Sequence, residues 1–168
     1  MTTEHSRRNF LRGQFSQTEV SRMHPPGAQP DVAQLCTQCG ACVDACPEAI
    51  LIPQDASAPI VDFSRGACTF CNACAEACDT GALVPAEPPH WPWRATIAAH
   101  CFSLTGITCR ACEDACAPRA IRFRLMTGGR AAPMLDSDLC TGCGACVSSC
   151  PAAAIRFEVP SDAEEEVA

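Results

Sequence analysis

Bulky side chains are what this 168-residue chain has least of. Tyr is absent, Trp occurs only at positions 91 and 93, and the hydrophobic fraction of 48% is swollen by Ala and by Cys. Such a chain cannot build an ordinary core, and small folds of this kind need a covalent or metallic staple. Long apolar runs are missing too. None approaches the ~20 residues of a spanning helix, so a transmembrane segment is not expected. Lys is absent, and the twelve basic residues, all Arg, are outnumbered by nineteen Asp and Glu. A net charge of −7 and a pI near 5.0 argue against a nucleic-acid partner. There is no nucleotide-binding loop, Ser-His-Asp set or open catalytic metal position, so an enzyme is not expected. Length alone allows one medium domain or two small ones.

What is abundant is cysteine, with sixteen residues in four groups. Cys36, Cys39, Cys42 and Cys46 follow the spacing C-x2-C-x2-C-x3-C and are followed by Pro47. Cys68, Cys71, Cys74 and Cys78 repeat it, with Asp79 in place of the proline. Cys140, Cys143, Cys146 and Cys150 repeat it with Pro151. The third group, Cys101, Cys109, Cys112 and Cys116, opens with a seven-residue gap and is followed by Ala117. Self-similarity at a period near thirty residues is the organising fact of the sequence.

This spacing selects [4Fe–4S] chemistry over its competitors. Zinc sites come as two C-x2-C knuckles separated by a longer stretch, and three cysteines in seven residues crowd one tetrahedral ion. Neighbouring cysteines on one tight loop rarely reach disulfide geometry. In two-cluster ferredoxins the first three cysteines of a run hold one cluster and the fourth ligates the other. That crossing predicts four ligand sets. The first is Cys36, Cys39, Cys42 and Cys78; the second is Cys68, Cys71, Cys74 and Cys46. The third is Cys101, Cys109, Cys112 and Cys150; the fourth is Cys140, Cys143, Cys146 and Cys116. Every cysteine is used once. Four oxidised clusters at about −2 each would take the holo-protein to roughly −15.

Small residues inside the loops, among them Gly40, Ala41, Gly142, Gly144 and Ala145, let backbone N–H groups approach the sulfides and tune the potential. The long gap of the third group predicts a larger wall over its cluster, with Arg110, Glu113 and Asp114 bringing charge, and hence a potential or lability unlike the rest. The four histidines, His5, His24, His90 and His100, are expected not to be ligands because cysteine completes the count.

The stretches between groups read as hairpins. Ile50-Leu51-Ile52-Pro53 and Pro59-Ile60-Val61-Asp62-Phe63 flank a polar turn. Ile121-Arg122-Phe123-Arg124-Leu125 alternates, Gly128-Gly129 turns, and Pro133-Met134-Leu135 returns. Short helices are expected over 43–46, 73–78, 113–116 and 145–150, all too short to stand alone. The prolines of 87–93 read as a stiff linker, with the two Trp packing at the junction of the halves. The predicted organisation is a basic flexible segment 1–31, a first two-cluster unit 32–86, the linker, a second unit 94–160, and an acidic disordered tail 161–168.

The N-terminus carries Ser6-Arg7-Arg8-Asn9-Phe10-Leu11-Arg12, a twin-arginine-like string, but the polar continuation 13–19 lacks the apolar region of an export signal. Arg7, Arg8, Phe10, Leu11 and Arg12 then read as a candidate docking segment, or as a solvated basic tail.

That start, the four cysteine groups, and the gap in Cys101-x7-Cys109-Arg110-x-Cys112-x-Asp114-x-Cys116 together resemble the NapF-type ferredoxin family of periplasmic nitrate reductase systems, over almost the whole chain. The resemblance implies an α+β fold of two tandem bacterial two-cluster ferredoxin-like units, with short helices and β-hairpins around four [4Fe–4S] clusters. It further implies a cytoplasmic accessory protein that meets the precursor of the nitrate reductase catalytic subunit before export, in maturation of its iron–sulfur centre. An electron-transfer relay, a polyferredoxin serving a redox enzyme, is the competing expectation. Peripheral membrane contact by the tail and the oligomeric state stay open at this stage.

Overall fold

The computed structural model describes residues 23–85 and 91–160. The basic segment 1–22 with Arg7, Arg8, Phe10, Leu11 and Arg12, the linker residues 86–90 and the acidic tail 161–168 lie outside the described residues.

In the first half, α1 (Val32–Leu35) and α2 (Ala41–Asp44) precede an antiparallel hairpin of β1 (Leu51–Gln54) and β2 (Ser57–Val61), and α3 (Ala73–Glu76) follows. The second half opens on β3 (Arg94–Ile97), followed by α4 (Ala111–Asp114). A hairpin of β4 (Ile121–Leu125) and β5 (Ala131–Leu135) comes next, then α5 (Ala145–Ser148) and β6 (Ile155–Glu158). The predicted hairpins are present, and a 3-10 turn over Thr127–Gly129 joins β4 to β5. The four cysteine-bearing helices are single turns that start at the residue before the third cysteine of each group, two residues earlier than expected in groups one and three.

Both halves close in the same way. In the second, β3 pairs antiparallel with β6, Arg94 opposite Glu158 and Ile97 opposite Ile155. In the first, the counterpart shrinks to one bridge between Ala28 and Leu83, flanked by Gln29 N–H to Ala82 O at 3.1 Å and Val84 N–H to Gly27 O at 2.9 Å. The start of each unit thus clamps onto its end across the cysteine groups.

This corrects two boundaries. Residues 23–31, grouped above with the flexible segment, belong to the first unit. Met23 O accepts from Val61 N–H at 2.8 Å, and the N–H of Val32, whose side chain is buried, reaches back to Gln29 O at 3.0 Å. Trp91 and Trp93, assigned to the linker, are core residues, 4% and 7% exposed. With Ile50, Leu51 and Phe63 they form one cluster that Val147 and Phe157 of the second unit pack against. Trp91 meets Phe63 and Phe70 edge-on, with centroids 5.9 and 5.8 Å apart, and its indole N–H donates to His24 O at 3.1 Å. The expectation that the Trp pair packs at the junction therefore holds. The remaining core is small, one cluster around Val32, Ala58 and Leu83 and one around Ala95, Ile121 and Ile155, and cysteines line both.

Candidate metal centres

The backbone of the cysteine loops explains why four dissimilar strings form similar sites. In groups one, two and four the intervals between the first three cysteines each contain a left-handed step, at Gln38 and Gly40, Phe70 and Asn72, and Gly142 and Gly144. Group three has one in its longer first interval, at Gly106, and none in its second, where Arg110, before its helix, sits at φ −136°. All four groups agree again at their ends. The third residue after the last cysteine is left-handed in each, at Ala49, Gly81, Arg119 and Ala153. Asp79 and Ala117, which replace the proline, do not alter that turn.

These turns bring the cysteines together in the crossed sets. Cys36, Cys39, Cys42 and Cys78 are the only cysteines lining one cavity. Cys46, Cys68, Cys71 and Cys74 line a second, and Cys101, Cys109, Cys112 and Cys150 a third. The unfilled space, open mouths included, is about 840, 430 and 320 Å³ respectively. Of the fourth set, Cys146 lies within electrostatic reach of Cys140 and Cys143, and Cys116, Cys140 and Cys146 share one apolar cluster. Among the described residues no three His, Cys, Asp or Glu side chains converge on a single-ion site; the thiols surround spaces instead. His24 and His100 face the carbonyls of Pro59, at 2.9 Å, and Ala153, at 3.4 Å.

Donors aim at the sulfurs. Phe70 N–H reaches Cys68 Sγ at 3.4 Å, Ala154 N–H reaches Cys150 Sγ at 3.3 Å, and Thr80 Oγ1 lies 3.5 Å from Cys78 Sγ. Burial raises the Cys78 thiol, but hydrogen bonds from Thr80 and from the backbone at Leu83 and Ala82 outweigh it and hold the thiol below its ordinary range. Elsewhere burial wins. It pushes Cys68, Cys74 and Cys112 up to about 11 and Cys146 to about 12, with neighbouring cysteines adding to the rise. Buried sulfurs that repel one another as thiolates call for a cationic core, and four thiols around each space with N–H groups pointed at sulfur fit a [4Fe–4S] cube.

The long third-group gap encloses rather than exposes. Cys101 and Cys112 are buried, whereas Cys39 and Cys71 of the first two sets are exposed. Ser103 in the gap is buried, and its hydroxyl donates to Ala131 O, tying the loop to β5. The charge expected near this site is largely neutralised. Arg110 meets Glu113 through Nε at 2.6 Å and a second nitrogen at 2.5 Å, and stacks 5.7 Å over Phe123, while Glu113 also accepts Phe123 N–H at 3.3 Å.

Two features escaped the sequence. Thr80 has no counterpart at the equivalent positions Glu48, Pro118 and Ala152, so no repeat pattern flags it. The glycines of group four also serve an end that was not expected. A Cβ on Gly144 would overlap the Phe63 ring, and one on Gly142 would lie 2.6 Å from Trp93 O, whereas Gly40 has nothing within 4 Å. Gly142 and Gly144 admit the first unit and the Trp segment, and Cys68 N–H crosses the same seam to Cys143 O at 2.8 Å.

The seam joins the second set to the fourth. Crossing cysteines link first to second and third to fourth, and Cys112 of the third lies within electrostatic reach of Cys146 of the fourth. The four cysteine sets thus adjoin one another in the order first, second, fourth, third.

Known proteins agree with this construction. The 4Fe-4S dicluster domain family matches residues 35–82 and again 107–154; only Cys101 falls outside the matched spans. The ferredoxin-type protein NapF of Haemophilus influenzae is 41% identical over 86% of this chain and 89% of its own length. NapF of Escherichia coli K12 is 38% identical over 86% and 88%. Two dicluster domains in tandem, and that likeness along most of both chains, make this protein a member of the NapF-type ferredoxin family.

Proposed function

We propose that the sixteen cysteines hold four [4Fe–4S] clusters in the crossed sets given above, and that the protein is a cytoplasmic accessory factor, not an enzyme. Its partner in this reading is the precursor of the periplasmic nitrate reductase catalytic subunit, whose iron–sulfur centre it helps to assemble or activate before export. When bound, each cluster supplies one-electron redox chemistry and exchangeable iron and sulfide. The family resemblance carries the link to nitrate reductase.

The observation that favours maturation is the inequality of the sites. A cluster donor needs one centre that a recipient can reach, and the first set combines the widest opening with the exposed Cys39. The adjoining order of the sets favours the second reading, a relay that passes electrons from end to end. The two separate on one experiment. Holo-protein is incubated with the cluster-free catalytic subunit, and iron is measured in both. Iron appearing in the subunit and leaving this chain supports maturation; rapid electron transfer with iron unchanged in both establishes the relay instead.

A further inference from the structure

The two units differ in charge. Residues 23–85 contain one Arg against seven Asp and Glu; residues 91–160 contain seven Arg against five. In the second unit the excess gathers on the β4–β5 hairpin, between the third set, whose cavity Phe123 lines, and Cys116 of the fourth. Arg119, Arg122, Arg124 and Arg130 are exposed on and around the β4–β5 hairpin, and among the described residues no carboxylate pairs with any of them. Their hydrogen bonds go to neutral groups, Arg122 Nε donating to Arg119 O at 3.4 Å and Arg124 lying 3.8 Å from Met126 Sδ, although Arg119 and Arg122 line one cleft with Glu113 and Asp114.

The same corner carries exposed apolar side chains. Leu125, at the end of β4, is 80% exposed, and Met126 follows it. The gap of the third group supplies Leu104 and Ile107, also exposed. Loop and hairpin are joined, because Ser103 hydrogen-bonds to Ala131 and Ala131 is the strand partner of Leu125. Arg122 and Arg124 alternate with Phe123 and Leu125 along β4 and so stand around the hairpin's edge from them. Exposed Leu, Ile and Met side chains together mark an interaction site where scattered single ones do not, and Met suits a surface that must adapt.

We propose that this corner is a docking surface for an acidic polypeptide segment that also presents apolar side chains, seated beside the third cluster site. Unpaired guanidinium groups match carboxylates with two parallel hydrogen bonds, and the apolar patch supplies the burial that fixes the segment in place. An anionic membrane is the weaker occupant. Among the described residues none of the exposed large hydrophobics is aromatic, whereas interfacial membrane anchoring draws on Trp and Phe. The inference stands whether the protein donates clusters or electrons.

The test uses the full-length holo-protein and a fluorescent peptide of alternating Glu and Leu, with an alternating Lys and Leu peptide as control, read by anisotropy. Two variants are compared with the native chain, Leu104→Ser/Leu125→Ser/Met126→Ser and Arg122→Ser/Arg124→Ser/Arg130→Ser. All six positions are exposed, and unchanged iron content and visible absorption report that both variants keep their fold and clusters. The native chain is expected to bind the acidic peptide, more weakly as salt rises, and each variant to lose affinity by about tenfold or more, the scale of 1.4 kcal/mol. No binding by the native chain, equal binding of the basic peptide, or full affinity in either variant overturns the proposal. Sedimentation with phosphatidylglycerol vesicles that disappears in both variants, without peptide binding, overturns it in favour of a membrane.

Discussion

The N–H of Cys68 donates to the carbonyl of Cys143 at 2.8 Å, so a ligand loop of one unit is hydrogen-bonded to a ligand loop of the other. This bond and the Phe63 ring lying against Gly144 make the two units one body at the level of their inner cluster sites. A flexible tether would leave cluster spacing undefined; this seam sets it.

Gly144 and Gly40 offer a matched test of that seam. Their φ angles are nearly equal, +82° and +79°. An alanine at either pays the left-handed penalty of about 1–2 kcal/mol. Only at Gly144 does the added methyl also meet Phe63, itself buried, adding an overpacking cost of roughly 1–3 kcal/mol. Gly144→Ala is therefore expected to lower the thermal midpoint, followed by cluster absorption and circular dichroism, clearly more than Gly40→Ala. Equal midpoints would mean that the seam contributes nothing to stability.

Exposure orders the cluster sites for attack from solvent. The first set, with Cys39 exposed and the widest opening, should lose iron to a ferrous chelator earliest; the third, with Cys101 and Cys112 buried, latest. Timed alkylation with peptide mapping reads this directly, since a thiol becomes reactive only when its iron leaves. Cys36, Cys39, Cys42 and Cys78 are expected in the first fraction. Early labelling of Cys101 or Cys109 would show that exposure does not govern lability.

The thiols of the cluster-free chain should titrate unequally. Against an ordinary value of 9.0, Cys146 is pushed up to about 12 by burial and by its neighbouring cysteines, whereas Cys78 is held down by hydrogen bonds that outweigh burial. A raised thiol stays protonated and unreactive as pH climbs past 9.0; a lowered one is thiolate already below it. Cys78 is therefore expected to reach half-maximal alkylation below pH 9.0, and Cys146 well above it. Because cluster binding displaces these protons, uptake should weaken as pH falls. Identical alkylation profiles for the two cysteines would remove the environmental account.

Much of this was legible in the sequence, for identifiable reasons. The grouping of the cysteines was readable from their spacing: Cys78 lies with Cys36, Cys39 and Cys42 around one cavity. The first hairpin shows as two apolar runs around a polar turn, the second in strand alternation and a Gly-Gly turn. The clamp between Ala28 and Leu83 was invisible, because one bridge leaves no periodic trace and Met23 to Asp31 look like a continuation of a polar tail. The packing role of Gly144 was hidden for a similar reason. A glycine between two ligands looks the same whether its missing Cβ makes room for a sulfide or for a distant Phe63. The third-group gap announced a wall, but not that the wall is closed by Ser103 and Ala131, twenty-eight residues apart.

That closure makes a final prediction. The Ser103 hydroxyl is the buried donor that holds the gap loop against β5. Ser103→Ala removes one hydrogen bond, a net loss of about 1 kcal/mol, which is too little to unfold the unit. Its effect should be local: a looser loop, and faster chelation at Cys101, Cys109, Cys112 and Cys150, with the other twelve cysteines unchanged. Thr105→Ala is the control, since Thr105 is exposed and its 3.0 Å bond to Phe102 O lies within the loop itself. If both variants release third-set iron at the native rate, the loop is a spacer and not a wall. If Ser103→Ala alone accelerates release, the enclosure of that site is a property of one side chain, and the inequality between the cluster sites is built in by the third group.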